Sequence, residues 1–456
     1  MIGLSVYVAI AGGLFIALWK YPAVALAGVL CMFGLEQWGY ATTPFFAQHQ
    51  TATNIILGGL LALALVIQFF KHGVKLFSGY PQVGWLTIIL FLYAFLSAQW
   101  APRADLSLKL WASAWPYVVT LVVLSPLVIT EPKDIVSVYK ALLLIGGLLT
   151  PLLLFLVKWE GRQIILGQEV GNPLAVAVMA GMVALVAILA DPWKGNKLWL
   201  PIKWILVAFC LALIVRSGSR GQLFSVLLVA LLCWPFSRSL WNAKQFGILL
   251  LLVVFIGLTT NYALSEFWAH QETYYAGGNR WSEKAMEGAM SGRLTDAIML
   301  VQLCYQSAET IIFGLGNSAA WDPRILGIYP HFVPLEILAE EGLIGFCLFG
   351  LILLVTARTA LQSHSRLNLL PAYRPEFAAL LGLFLFSLLL SLKQGSLLGN
   401  LEPFMFAILL GKYGKFIWAA QEISDSSHGE GATTVAPPFL ASTARPFQKV
   451  NQGQAY

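Results

Sequence analysis

Residues 172–190 read NPLAVAVMAGMVALVAILA and contain no charged side chain. An α-helix needs about 20 apolar residues to cross the hydrocarbon core of a bilayer. Comparable runs recur through most of the chain, and in order they cover about residues 54–70, 84–100, 112–130, 138–157, 172–190, 199–215, 222–236, 246–260, 342–356, 376–392 and 398–411. Two shorter runs, about 2–18 and 22–36, precede them. The sequence therefore predicts an all-α, polytopic membrane protein with twelve or thirteen transmembrane helices.

The amino-acid composition is typical of a protein that lies in a lipid bilayer. Hydrophobic residues make up 58% of the 456 residues, charged residues only 11%, and the mean hydropathy is +0.75. These values exclude a soluble globular protein of this length. The first apolar run lacks a basic flank and a small-residue cleavage site, so we interpret it as a retained helix rather than a signal peptide. The five cysteines show no pairing or metal-ligand spacing, so neither disulfides nor a metal site is expected.

Basic residues fall in alternate loops and predict the orientation. The lysines and arginines that share one side include Lys71, Lys133, Lys194, Arg238 and Arg358. By the positive-inside rule that side is the cytoplasm, which accounts for the net charge of +6 without nucleic acid as a partner. The opposite, external face receives loops 37–53, 101–111, 158–171, 216–221, 261–331 and 393–397. With thirteen spans the N-terminus lies outside, and with twelve it lies inside.

One external loop is much longer than the others and divides the chain. We expect N-terminal transmembrane helices over 1–260, a large periplasmic loop over 261–331, C-terminal transmembrane helices over 332–420 and a disordered cytoplasmic tail over 421–456. The loop carries seven acidic against four basic residues, so an anion site there must depend on particular arginines. Within it, Leu294–Ser307 has helical periodicity after a Ser291-Gly292-Arg293 start, which predicts an amphipathic helix along the membrane surface.

A six-residue external turn, Arg216-Ser217-Gly218-Ser219-Arg220-Gly221, is the first candidate site. Two arginines in so short an external turn run against the positive-inside rule, and guanidinium groups match phosphate oxygens bidentately. The glycines permit close backbone approach, and the serines can donate hydrogen bonds. The alternative is that both arginines only reach into the lipid headgroups.

The second candidate is His331, which stands where the long loop meets the apolar run after Glu341. An imidazole at that boundary can serve as a base near neutral pH, although an interfacial histidine can also be purely structural. Glu336, Glu340 and Glu341 follow closely. We interpret Glu340 and Glu341 mainly as interfacial residues, with Glu336 or Glu340 as possible support that orients the histidine or an acceptor sugar.

Together these segments resemble the O-antigen ligase and polymerase superfamily. The resemblance rests on the Ser219-Arg220-Gly221 turn, the Ser291-Gly292-Arg293 start, the Gly314-Leu315-Gly316 turn, His331 with Gly342 and Gly345 at the ligase spacing, and Gly171-Asn172-Pro173-Leu174-Ala175. Phe332 stands where the ligase pattern has an amide or hydroxyl. The resemblance covers about residues 165–360.

The resemblance implies a metal-independent glycosyltransferase without cofactors, in the bacterial inner membrane, with its active site facing the periplasm. It would transfer a glycan from undecaprenyl pyrophosphate to an acceptor hydroxyl in lipopolysaccharide or surface polysaccharide biosynthesis. Arg220 and Arg293 would bind the pyrophosphate, with Arg216 and Ser219 assisting, and His331 would accept the proton of the attacking hydroxyl. Its partners would be the lipid-linked glycan, a glycan acceptor and membrane lipids.

Several alternatives stay open at this point. The acceptor would be lipid A–core for a ligase, or the end sugar of another lipid-linked repeat for an O-antigen or exopolysaccharide polymerase. The protein could instead be a flippase for lipid-linked oligosaccharides, which belongs to another functional class. A transporter, however, would carry its charged residues around a central cavity. A scaffold subunit of an envelope-assembly complex would tolerate loss of both Arg220 and His331.

Overall fold

The computed structural model describes residues 2–160, 163–166, 169–237, 247 and 295–429. Its N-terminal half contains α1 Ile2–Leu18, α2 Val24–Leu30, α3 Met32–Thr42, α4 Pro44–Gln48, α5 Ala52–His72, α6 Lys75–Ser78, α7 Gln82–Ser97, α8 Ala104–Val118, a π-helical stretch Val119–Leu124, α9 Ser125–Leu127 and α10 Pro132–Phe155. Three short strands follow, β1 Trp159–Glu160, β2 Gln163–Leu166 and β3 Glu169–Val170.

The remaining elements are again helical. They are α11 Pro173–Leu189, α12 Trp199–Arg216, α13 Arg220–Ser237, α14 Thr295–Cys304, α15 Ala308–Phe313, α16 Val333–Glu340, α17 Gly342–Leu367, α18 Arg374–Ser391 and α19 Glu402–Gly429, with 3-10 turns at Ala319–Trp321 and Pro371–Tyr373. The chain is therefore an all-α, polytopic membrane protein, as the sequence predicts.

The uncharged stretch 172–190 forms the central helix of the bundle, α11. The Asn172 side chain accepts hydrogen bonds from the amides of Leu174 and Ala175, and Pro173 occupies the first helical position, so α11 starts where its sequence requires. Every residue from Met179 to Leu189 is buried, because α10, α12, α13 and α18 all pack against this helix. A helix enclosed on all sides has no face that needs to be polar.

Small residues allow the central helices to approach closely. A side chain at Gly146 of α10 would collide with Val183 of α11, and one at Gly181 of α11 would come 2.5 Å from the Phe386 ring of α18. Glycine at such positions lets the backbones of the two helices approach closely, which favours packing between helices in a membrane. The bundle is thus tight around α11.

Seven of the described helices are long and apolar enough to span a membrane, or eight if the pair α2–α3, bent by 60°, is one span. This is fewer than the twelve or thirteen of the sequence prediction. Three of the missing spans, α1, α7 and α11, lie where spans are predicted but have only 16 or 17 residues. A fourth, α19, has 28 residues but is not among the helices that are apolar enough over a full span. The predicted span 246–260 lies outside the described residues apart from Gly247, and the sidedness of the loops stays a prediction.

Two segments refine the predicted organisation. Loop 158–171 contains an antiparallel three-stranded sheet in the order β1-β2-β3, with Trp159 opposite Ile164 and Ile165 opposite Val170. The last helix continues to Gly429, so the segment assigned to a disordered tail begins with helix over 421–429. Ala419, Ala420, Gln421 and Glu422 are good helix formers, which explains the extension. Residues 430–456 lie outside the description.

The predicted amphipathic helix of the long loop is present as α14. It buries Ala297, Leu300 and Cys304 in a small second core with Ala320 and Ala339, while Ile298 and Met299 are exposed. Ile298 and Tyr305 belong to the apolar residues of this segment but are exposed, so the face that packs inward is a different one. An exposed apolar face remains available, and its contact with the membrane surface stays a prediction.

Candidate functional site

The turn between α12 and α13 is held by its own serines. Gly218 has a φ of +67°, and the hydroxyls of Ser217 and Ser219 lie 2.7 Å apart. Both serines are almost completely buried, with exposed fractions of 1% and 2%. Their hydroxyls therefore stabilise the turn that places Arg216 and Arg220. Direct binding of a ligand by Ser219 stays a prediction.

Arg216 is held by an aromatic residue from the small sheet. Its guanidinium carbon lies 5.7 Å from the centre of the Trp159 ring, within the range of a cation–π interaction. The Trp159 indole donates to the carbonyl of Leu153 at 2.9 Å, which fixes the ring at the end of α10. Trp159 was missed by the sequence analysis because nothing local marks a tryptophan in a loop as the partner of an arginine 57 residues later.

A lysine from a distant loop joins the arginine turn. Lys393 Nζ donates to Gln222 Oε1 at 2.8 Å, and Gln222 Nε2 donates to Gln394 Oε1 at 2.9 Å. A side chain at Gly221 would collide with the Lys393 ammonium group, so glycine at this position makes room for the lysine. The structure thus adds a third cation to the turn of Arg216 and Arg220.

Lys393 could have been found from the sequence. It lies in the loop 393–397, which the orientation prediction places on the external face. The argument applied to the arginine turn, that basic residues in short external loops run against the positive-inside rule, applies equally to this lysine. What the sequence lacks is any indication that the loop lies beside Gly221.

His331 lies in a strained position directly before α16. Its φ is +61°, in the left-handed region that glycine and asparagine prefer. Its ring contacts Tyr329 with centroids 4.2 Å apart and the planes tilted by 59°, and Tyr329 in turn contacts Trp321 at 5.6 Å. Strain of this kind is kept where surrounding contacts over-determine the backbone, and it is common in functional sites. The aromatic cluster provides those contacts here.

The glycines of the motif are explained by backbone packing. Gly314, Gly316 and Gly342 have φ values of +83°, +93° and +63°. The Leu315 and Gly316 amides donate to the carbonyls of Ala339 and Glu340, both at 2.9 Å. A side chain at Gly316 would come 2.5 Å from the backbone of Ala101. The loop 314–322 is therefore fixed to the end of α16 and to the segment after α7.

Three buried carboxyl groups hold the loops around His331. Glu340 accepts from the amides of Ser318 at 2.6 Å and Ala320 at 2.9 Å, and Glu341 Oε1 accepts from the Asn317 side chain at 2.8 Å. Glu336 Oε2 accepts from the Leu397 amide at 3.1 Å. These contacts support the structural interpretation of Glu340 and Glu341. The hydrogen bond that Glu336 accepts from Leu397 joins α16, the helix after His331, to the loop that carries Lys393.

Burial has a clear electrostatic effect on these groups. It raises the pKa of Glu336 and Glu340 above the ordinary carboxyl range, and the mutual proximity of Glu336 and Glu340 adds to the shift of Glu336. Burial also raises the pKa of Glu341 to about 7, against the opposing effect of hydrogen bonds from Ser97 and Asn317. Carboxyls that hold their protons near neutral pH can be buried without the full cost of an unpaired charge.

A cavity of about 360 Å³ lies between the parts of the candidate site. It is lined by Tyr329, whose ring contacts His331, and by Gln394, which bonds to Gln222 beside the arginine turn. Asn172, Leu174 and Ala175 line it as well. The candidate residues Arg216, Ser219, Arg220 and His331 are not on its wall, and Arg293 lies outside the described residues. Their joint role in one site stays a prediction.

Comparison with known proteins adds little. No family model matches the chain, and no curated protein matches it. Among solved structures, it is similar to one titled "Structural coordination of polymerization and crosslinking by a peptidoglycan synthase complex". That match has 13% identity and a TM-score of 0.42, and it covers 75% of this chain and 98% of the other. A likeness this distant identifies neither a family nor an activity.

Proposed function

We propose that this protein transfers a glycan from a polyprenyl pyrophosphate carrier to an acceptor hydroxyl at the external face of the membrane. The observation that carries the proposal is the cavity of about 360 Å³, which we call the donor cavity. Its lining includes Tyr329, whose ring contacts His331, and Gln394, which bonds to Gln222, the hydrogen-bond partner of Lys393. Cations that could hold a pyrophosphate and a base that could accept a proton thus lie behind residues that line one space. We further propose undecaprenyl pyrophosphate as the carrier and the bacterial inner membrane as the location, as the superfamily resemblance implies.

The chemistry requires one displacement. The acceptor oxygen attacks the anomeric carbon, the bond from that carbon to the pyrophosphate oxygen breaks, and polyprenyl pyrophosphate leaves. His331 accepts the proton of the attacking hydroxyl and returns it to solvent. Arg216, Arg220 and Lys393 stabilise the negative charge that develops on the leaving group, with Arg293 as a further proposed contact. Removal of one such donor typically lowers a rate by about 10²–10³.

A single displacement inverts the configuration at the anomeric carbon. Analysis of the linkage in donor and product by nuclear magnetic resonance tests this expectation. A product with retained configuration would exclude the single displacement.

The proposal favours transfer over transport because Arg216 and Arg220 lie together at the end of α12 and the start of α13, where they can hold a leaving pyrophosphate. Vesicles containing the purified protein and a lipid-linked glycan separate the two functions. Translocation of the glycan without a new glycosidic bond would identify a flippase instead. Normal surface glycan in a strain carrying Arg220→Ala or His331→Asn would indicate a scaffold.

Ligase and polymerase remain the two forms of the proposed activity, and we favour the ligase on the spacing of His331, Gly342 and Gly345. A deletion strain distinguishes them. Loss of all long chains from lipid A–core indicates a ligase, and retention of only single-repeat forms indicates a polymerase. Complementation with Arg220→Ala should reproduce the deletion pattern. Arg103→Ala, which removes an exposed arginine paired with Asp105 at 2.6 Å, is the matched control and should restore the wild-type pattern.

A further inference from the structure

A second cavity of about 440 Å³ adjoins the donor cavity. Both volumes fall within the range of about 300–1,000 Å³ that is typical of small-molecule sites. Six residues line both spaces, namely Phe33, Met182, Trp321, Ser396, Gly399 and Glu402. The two cavities are therefore lobes of one groove. Among the described residues that line both lobes, Glu402 alone is ionisable.

The two lobes differ in their carboxyl groups. The second cavity is lined by Glu36, Glu336 and Glu402, whereas the donor cavity has only Glu402, and neither described lining contains a lysine or arginine. Glu36 and Glu336 are 8% and 3% exposed, so these groups face the cavity rather than bulk solvent. Gln394 on the wall of the donor cavity bonds to Gln222, which accepts a hydrogen bond from Lys393. Acidic residues are rare inside a bundle and mark binding sites when they line a cavity.

A polar atom in the second cavity points to a ligand that donates hydrogen bonds. The Asn54 amide group donates to the Tyr117 hydroxyl at 2.7 Å, but Asn54 Oδ1 is buried and has no hydrogen-bond partner among the described residues. An unsatisfied buried acceptor costs about 1–3 kcal/mol. Asn54 and Tyr117 both line the cavity. A bound hydroxyl group would satisfy this acceptor.

We propose that the second cavity binds the acceptor sugar and that Glu402, at the junction, positions the attacking hydroxyl toward the donor cavity. Hydroxyl groups donate hydrogen bonds to the carboxyl oxygens of Glu36 and Glu402 and to Asn54 Oδ1, and the Trp321 ring offers an apolar surface to the sugar. The described lining has no lysine or arginine, so the charge of an acidic sugar would be buried without a partner. The site thus takes a neutral or amine-bearing sugar, a substrate class that rests on the proposed transfer function.

This arrangement also orients the reaction. The pyrophosphate is attracted to the end of the groove near Lys393 and the arginine turn, whereas the lining of the other end offers it no cation. Donor and acceptor then enter opposite lobes, and the anomeric carbon and the attacking hydroxyl meet beside Glu402 and Trp321. Charge complementarity of this kind suppresses binding in the wrong orientation.

The test uses the full chain in nanodiscs and three soluble probes, namely dodecyl maltoside, dodecyl glucuronide and farnesyl pyrophosphate. We expect dodecyl maltoside to bind and dodecyl glucuronide to bind at least about tenfold more weakly, a difference of ~1.4 kcal/mol. Glu36→Gln and Glu402→Gln should each weaken maltoside binding about tenfold and leave farnesyl pyrophosphate binding unchanged. Arg220→Ala should weaken farnesyl pyrophosphate binding and leave maltoside binding unchanged. Glu309→Gln, at an exposed position of α15, is the matched control.

Unchanged maltoside affinity in both Gln variants, or equal affinity for the two sugar probes, would overturn the acceptor assignment. Trp321→Ala provides an independent variant if a Gln variant does not fold, and it should also weaken only the maltoside. The proposed function is tested separately by formation of a glycosidic bond. If the wild-type protein binds the sugar selectively but forms no glycosidic bond, the proposed sugar site stands and the proposed transferase function is wrong.

Discussion

Gly342 and Gly314 lie backbone against backbone. A side chain at Gly342 would collide with the amide of Gly314 and come 2.5 Å from the carbonyl oxygen of Ile312, while one at Gly314 would collide with the carbonyl of Glu340. The contact joins the start of α17 to the turn that leads into the loop 314–322. Two glycines that are 28 positions apart in the sequence are thus required for the same reason.

Gly342→Ala should destabilise the protein. Its φ of +63° alone costs an alanine about 1–3 kcal/mol, and the contact with backbone atoms cannot relax by a side-chain movement. We expect a lower melting temperature and loss of glycan transfer. Gly350→Ala is the matched control, because the same helix has open space around that position and alanine favours a helix. Equal melting temperatures for the two variants would contradict the packing argument.

His331 needs substitutions that separate its backbone from its imidazole. Asparagine and glycine tolerate a φ of +61°, whereas histidine and alanine each bear a cost of about 1–2 kcal/mol there. We expect His331→Asn and His331→Gly to melt at or above the wild type, and His331→Ala to melt lower than either. All three should lose transfer by about 10²–10⁴, as expected for a missing base. A transfer rate within about threefold of the wild type in His331→Asn would exclude the imidazole from the chemistry.

Lys393→Gln should weaken donor binding. The substitution keeps a polar side chain near Gln222 but removes the third cation of the arginine turn. We expect the KM for the lipid-linked donor to rise about tenfold, the equivalent of ~1.4 kcal/mol, with the acceptor KM unchanged. Lys71→Gln, at an exposed position of α5, should change neither constant. Equal effects of Lys393→Gln on both substrates would instead indicate a structural role.

Thermal stability should depend on pH through the buried carboxyl of Glu341. Its pKa rises from 4.5 to about 7 in the folded protein, so folding retains a proton that the unfolded chain releases. This contribution to stability is complete below about pH 4.5 and is lost as the pH rises through about 7, at up to ~1.4 kcal/mol per pH unit. The melting temperature should therefore fall over this window.

Glu341→Gln should make that fall smaller, because the amide does not titrate. Glu336 and Glu340, whose pKa values are also raised, preserve part of the pH dependence. Glu309→Gln, which changes an exposed carboxyl, is the control and should keep the wild-type slope. Identical slopes for Glu341→Gln and the wild type would mean that Glu341 is ionised in the folded protein.

Much of the fold could be predicted from the sequence because membrane insertion depends on local composition. Each predicted span that the structure describes coincides with a helix, and α11 begins at Asn172 and Pro173 for reasons visible in five residues. The predicted bounds were less accurate at α19, where good helix formers extend the helix beyond the apolar run. The number of spans also differs, because several helices are shorter than a full crossing.

The sequence by itself determined that the protein lies in a membrane, that its fold is helical and which residue types form the candidate site. The length of an apolar run and a glycine-containing turn both depend on residues that are close together in the chain. The tertiary structure alone decided which groups meet. Lys393 contacts Gln222 across 171 positions, Trp159 holds Arg216, and Glu336 bonds to Leu397 across 61 positions. These contacts depend on how helices pack in three dimensions, and side-chain packing over such separations leaves no local pattern in a single sequence.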